Sequence, residues 1–317
     1  MKKLAYLASA VAAAFAGTAH ADVAVSGSGS ASYVSNASND GLIITAANVG
    51  FALSTTAANG MGISTAMGIN LTDESDVTVG SVSGGNSMTF TTGGATIVVG
   101  DIELGDTPGS VGGVAGGLLT GNDGLASNAQ SGFTDDDGTG VSFSTAVGGS
   151  TVSFGHIFND DGDNRGNMDA SAAQTMTAAS ITMPMGSFSL TAGIADHDTG
   201  ESASGASISY AIGGGTLVAG YSQQTLVAAS STSDKLSANG DTTVLGATYT
   251  MALDADTSVA VGYQSTKDGD SDSSSLTDLS ISRALGGGAS VYLDVRSETG
   301  DMATDGTAMG FGTTVSF

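Results

Sequence analysis

From Thr307 to Phe317 the chain reads T-A-M-G-F-G-T-T-V-S-F, and its apolar and small polar residues alternate. Met309, Phe311, Thr313, Val315 and Phe317 share one parity; Gly310, Gly312, Thr314 and Ser316 share the other. Period two marks a β-strand with one apolar face and one small, polar face. The same alternation sets Phe188, Leu190, Ala192 and Ile194 against Ser189, Thr191 and Gly193, and Leu245, Ala247, Tyr249 and Met251 against Val244, Gly246, Thr248 and Thr250. It predicts strands at Val23–Tyr33, Ile43–Leu53, Met61–Leu71, Asn86–Thr92, Ala95–Gly100, Val141–Val147, Thr151–Phe158 and Thr177–Met183. The second half adds Ser187–Ala195, Ala203–Ile212, Thr216–Gln223, Thr242–Met251, Thr257–Ser265, Ser275–Ala284, Ala289–Ser297 and Thr307–Phe317. The total is about sixteen.

The connections between these strands alternate in length. Short turns fall at 92–94, 148–150, 184–186, 213–215, 253–255 and 285–288, most of them rich in glycine, which supplies the positive φ of tight hairpins. Between them lie longer, acidic connections at 72–85, 101–140, 159–174, 196–202, 225–241, 266–274 and 298–306. A transmembrane barrel explains this alternation directly, with short turns on one side of the bilayer and long loops on the other. A soluble sandwich would also have alternating faces, but it guards its exposed face with charge. Here the second face is Ser, Thr and Gly with hardly any Lys or Glu. The expected fold is therefore all-β, a transmembrane antiparallel barrel of about sixteen strands.

Residues 1–21 are expected to lie outside that domain. Lys2 and Lys3 precede the apolar run Leu4 to Phe15, and Ala19-His20-Ala21 is a small-x-small cleavage site, the pattern of a secretory signal peptide. The barrel domain is then 22–317. No stretch reaches the ~18 uninterrupted apolar residues of a spanning helix. Cys is absent, which excludes a disulfide scaffold and thiolate zinc sites. Acidic residues number 31 against 7 basic ones, which argues against nucleic acid and anionic headgroups as partners.

At Val99-Gly100-Asp101-Ile102-Glu103-Leu104-Gly105-Asp106 a strand ends in G-D, L-G follows, and the longest connection begins. This resembles the start of the third loop in general diffusion porins of Gram-negative outer membranes. Leu285-Gly286-Gly287-Gly288-Ala289-Ser290-Val291 resembles their last periplasmic turn. The final strand, with Phe311, Val315 and Phe317, resembles the closing strand of outer-membrane barrels, whose end is read by the assembly machinery. Together with the strand order, the resemblance spans essentially all of 22–317. It implies a homotrimer in the outer membrane and a water-filled channel for small hydrophilic solutes and ions, with 101–140 folded inward as a constriction. On that reading Asp101, Glu103, Asp106, Asp123, Asp135, Asp136 and Asp137 approach the channel. Arg296 shares parity with Tyr292 and Asp294, opposite the apolar Val291, Leu293 and Val295, and joins Asp294 on the lumen side. A field dominated by carboxylates favours cations. The chain departs from the family in two respects: beyond residue 21 its basic residues are only Arg165, Lys235, Lys267, Arg283 and Arg296, and it has no Trp.

Other chemistry is less well supported. Asp160, Asp161 and Asp163 sit in an N-D-D-G-D-N run that offers hard oxygens to calcium, although the bidentate Glu that completes an EF-hand is missing. No cofactor is required by a channel. His156 lies on the parity of Phe154 and Phe158, and His197 starts a connection where solvation is expected. No motif assembles a catalytic set around either, so an enzyme is not expected. The competing reading is a secreted, acidic, calcium-binding β-rich surface or adhesin-type protein. It requires a fixed-period repeat, whereas these connections vary in length.

Overall fold

The computed structural model describes residues 22–36, 39–73, 81–84, 87–104, 137–159, 175–198, 200, 202–226, 240–268, 273–300 and 306–316. Every regular element among them is a strand. In chain order these are β1 (Asp22–Asn36), β2 (Asn39–Thr56), β3 (Gly62–Asp73), β4 (Ser81–Gly84), β5 (Ser87–Thr92) and β6 (Ala95–Glu103). Then follow β7 (Asp137–Val147), β8 (Ser150–Asn159), β9 (Met176–Met185), β10 (Phe188–His197), β11 (Ser202–Ile212) and β12 (Gly215–Leu226). The last five are β13 (Gly240–Ala252), β14 (Thr257–Asp268), β15 (Ser274–Gly286), β16 (Ala289–Thr299) and β17 (Gly306–Ser316).

Around the sheet each strand pairs antiparallel with its neighbour, and β17 returns to β1, Ser28 facing Ser316 through to Ser35 facing Met309. β4 and β5 both pair with β3, opposite Met67–Asn70 and Gly62–Ser64 respectively. They occupy one place in the wall, so the barrel is closed and sixteen-stranded. The hydroxyl of Thr65 bridges the break by donating to the Ser87 carbonyl at 2.8 Å. All sixteen expected strands are present. β4 is the addition, inside what reads in the sequence as the connection 72–85.

Two-glycine hairpins explain one end of the barrel. Gly93 and Gly94, Gly148 and Gly149, and Gly213 and Gly214 all have φ between 56° and 88°. Positive φ at both central positions is the turn whose twist matches paired strands. At 57–61 and 253–256 the turns are longer and closed by their own hydrogen bonds, such as Ala57 N–H to Met61 O at 2.8 Å and Leu253 N–H to Thr257 O at 2.8 Å. β6 and β8 end at the opposite end of the barrel.

Exposure then separates the two faces. Phe143, Phe154, Ile194, Leu245, Val261, Leu293 and Phe311 are exposed and share the outward parity, forming the apolar band that a bilayer requires. Tyr33 of β1 and Phe311 of β17 meet across the closing seam at 5.4 Å between ring centroids. The inward parity holds Ser142, Ser153, Ser180, Ser222, Gln264, Asp278 and Asp294, all buried. The lumen is polar.

Candidate functional site: the barrel lumen

Most of the inner wall is uncharged. Hydroxyls pair across strands on it: Thr182 with Thr191 at 3.0 Å, Ser258 with Ser282 at 2.8 Å, and Ser290 with Thr314 at 2.6 Å. Charge on the described inner face is confined to Asp22, at the start of β1, and to one sector on β15 and β16. There Asp278 faces Arg296 directly across the pair, Ser280 faces Asp294 and Leu276 faces Glu298. Asp294, Arg296 and Glu298 alternate along β16, so all three project to one side. Arg296 is 2% exposed, Asp278 4% and Asp294 0%. On the far side of Arg296, β17 supplies Ala308, Gly310 and Gly312, which leave room for long side chains. Tyr292 fills part of that room: its hydroxyl and ring cover Gly312. The sector therefore holds three carboxylates and one guanidinium, and carries net negative charge when all are ionised.

A second inner-wall sector is apolar. Ile102 and Leu104 from the end of β6, Ile157 of β8, Met176 and Ala178 of β9, Ala195 of β10 and Ala203 of β11 form one buried cluster. Leu104 covers the inner face of Gly155 on β8, with its Cγ 3.7 Å from where a Cβ would stand. Ile102 likewise covers Gly140. Leu104 belongs to the chain leaving β6, yet it lies two strands along the wall. At this point the chain crosses the inner surface of β7.

The expected site residues divide as follows. Arg296 and Asp294 stand together on the inner wall beside Asp278. Asp101 faces Thr139 and shares its parity with Ile97 and Val99, the outward set, while the inward positions beside it are Gly100 and Ile102. Glu103 is set opposite Asp137 in the same ladder. Asp106, Asp123, Asp135, Asp136, Asp160, Asp161, Asp163 and Phe317 lie outside the described residues. Among the described residues no group of three or more His, Asp or Glu is placed to hold a metal ion. Phe311 is outward at the seam, and Val315 pairs with Gly29.

Both described histidines, His156 and His197, are tied into the wall. His156 faces outward, with Nδ1 2.8 Å from the Thr177 hydroxyl and its ring edge-on to Phe158 at 4.8 Å. His197 is not solvated as expected. It is buried at the end of β10, opposite Met176, with Nδ1 3.7 Å from Asp198. Its parity with Gly193 and Ala195 turns it inward, a signal the sequence already contains. Asp278 and Glu298 are the charges of this sector that sequence reasoning missed. Asp278 alternates with the outward Leu279 and Ile281, which marks its face, but its pairing with Arg296 needs the register.

Comparison with known proteins agrees with this architecture. A family model described as Gram-negative porin matches residues 8–303. In-vitro-folded OmpT of Vibrio cholerae, a trimer form, superposes with a TM-score of 0.69 at 14% identity, over 94% of this chain and 99% of that one. A triple mutant of the Rhodopseudomonas blastica porin gives 0.64 at 16% identity, over 93% and 100%. At such identities the structures speak for the fold, and the family match speaks for the lineage. No curated protein sequence matches the chain. Nothing in these comparisons supports the secreted calcium-binding alternative. The match over nearly the whole chain, the closed barrel and its apolar outer band together make this chain a member of the Gram-negative porin family, a channel of the outer membrane.

Proposed function

We propose that this porin is a passive diffusion channel for small hydrophilic solutes that prefers cations. The single observation behind the preference is the charged sector of the inner wall, where Asp278, Asp294 and Glu298 outnumber Arg296 on a wall that is otherwise mostly uncharged. Walls of low dielectric focus such a field along the pore, drawing in cations and repelling anions. The mechanism needs only pore radius and electrostatics. We further read 101–140 as the constricting segment, because Leu104 already rests on the inner wall at Gly155. The trimer form of the structurally similar OmpT supports a homotrimer here. Calcium at Asp160, Asp161 and Asp163 stays within this proposal, and calorimetric titration tests it.

Swelling of proteoliposomes in size-matched cationic, neutral and anionic solutes tests the functional reading. Influx in the order cation, neutral, anion is the expected result. Equal rates for all three would remove the preference while leaving the channel. Absence of influx through folded protein would remove the channel reading itself.

A further inference from the structure

The outer wall is not of even height. Across β9 to β12 it carries an open groove of about 620 Å³, lined by Ala179, Ile181, Ala192, Ile194, Ala206 and Tyr221. All six hold the outward parity. Ala192 faces Ile181 on β9 and Ala206 on β11, Ile194 faces Ala179, and Ala206 faces Tyr221 on β12. The alanines form a floor, and the two isoleucines and the tyrosine rise beside it. Large residues continue the wall on both sides, with Phe154 facing Ala179 and Leu245 facing Tyr221. Ile194, Tyr221, Phe154 and Leu245 are all exposed, so the groove opens outwards within the apolar band.

One step along the strands, towards the long connections, the outward residues are His156, Thr177 and Asp196, in register across β8, β9 and β10. This polar row marks the edge of the hydrocarbon, and long connections belong to the extracellular side. The groove therefore lies against the outer leaflet, just below the level of the headgroups. Alanine and isoleucine surfaces give water no partner there, and an empty groove would forfeit its dispersion contacts. A flexible alkyl chain fits such a shape. A protein partner has little to hold in the groove itself, which spans two rows of side chains, against roughly 800 Å² on each side of a stable protein interface.

We infer that this groove is a binding site for one acyl chain of an outer-leaflet lipid, whose head lies at the His156–Thr177–Asp196 row. The site is continuous with the lipid-facing band but differs from it, because a chain seated between Ile181, Ile194 and Tyr221 is held on three sides instead of one. Such a lipid stays with the barrel when the surrounding lipids are removed.

The test is the number of lipids that the intact protein keeps. The barrel is reconstituted in vesicles of palmitoyl-oleoyl phosphatidylethanolamine and phosphatidylglycerol, extracted into mild detergent and weighed by native mass spectrometry. The wild type is expected to keep one lipid per barrel. Ala206→Phe places a ring on the floor of the groove and should lower retention about tenfold, the loss of roughly ten carbon–carbon contacts. Ala247→Phe, the same change at an outward position of β13 beyond the groove, should keep the lipid. Equal retention in all three proteins would overturn the inference. Ala192→Leu fills the same floor and carries the same prediction should Ala206→Phe fail to assemble. The chain has no Cys, so Ala206→Cys introduces a single thiol. Oxidation that links two barrels through it in the membrane would put a second copy of this chain in the groove, and would likewise overturn the inference. Monomeric thiol together with retained lipid is the expected result.

Discussion

Leu104, the residue that follows β6, lies against Gly155 of β8 on the inside of the barrel. A Cβ at 155 would meet the Leu104 Cδ2, so a side chain there has to displace Leu104 from this position. The contact belongs to an apolar cluster in which Ile157 and Met176 are 0% exposed, so it is a packed joint and not a surface touch. Gly155→Val is expected to expel Leu104 from the wall and Leu104→Ala to leave a void, the latter lowering stability by about 2 kcal/mol or more. Thermal melts of the purified barrel measure the loss. Single-channel conductance should rise in both variants as the joint at the inward-turning chain loosens.

Asp254 organises the turn between β13 and β14, and it should do so less well in acid. The Asp256 N–H, the Thr257 hydroxyl and N–H, and the Arg283 guanidinium at 3.6 Å together hold its carboxyl below the ordinary value of 3.8, the Asp256 contact contributing most. A lowered folded value means that this stability is fully present above 3.8 and disappears as pH falls through the folded value. Asp254→Asn should therefore lower the melting temperature slightly at neutral pH, and its difference from the wild type should vanish in strong acid. The group is exposed and the effect is small. A difference that grows on acidification would contradict the assignment.

Closure of the sheet depends on a glycine as well. A Cβ at Gly312 would lie 2.6 Å from the Ala31 carbonyl oxygen of β1 and would also meet Tyr292. The Ala31 contact is with backbone and cannot be relieved by a rotamer change. Gly312→Ala should cost about 1–3 kcal/mol and lower the yield of assembled barrel. Trimming Tyr292→Leu in the same chain should not restore it, since the Ala31 carbonyl remains. Heat-modifiable gel migration, which separates folded from unfolded barrels, reads both outcomes.

These residues also separate what alternation along the chain encodes from what only the register of the sheet supplies. The strands were legible because period two relates each side chain to lipid or lumen, and that relation survives loop by loop from Val23 to Val315. The break between β4 and β5 was not, because it is a matter of which residues of β3 face Ser81–Gly84 and Ser87–Thr92. The place of Asp101 at the start of a long connection suggests the channel, whereas its parity with Ile97 and Val99 aligns it with the outer face. The sector around Arg296 was half legible. Arg296 and Asp294 share a strand and follow from alternation alone, whereas Asp278 lies 18 residues earlier and comes opposite Arg296 only through the register of the ladder.

The central claim is that the β15–β16 sector sets ion preference, and the zero-current potential under a potassium chloride gradient tests it most directly. The wild-type channel should show a potential of the sign that marks cation preference. A variant carrying Asp278→Asn, Asp294→Asn and Glu298→Gln should move to zero or to the opposite sign while still conducting. An anion-preferring wild type, or a potential unchanged in the triple variant, would contradict the account.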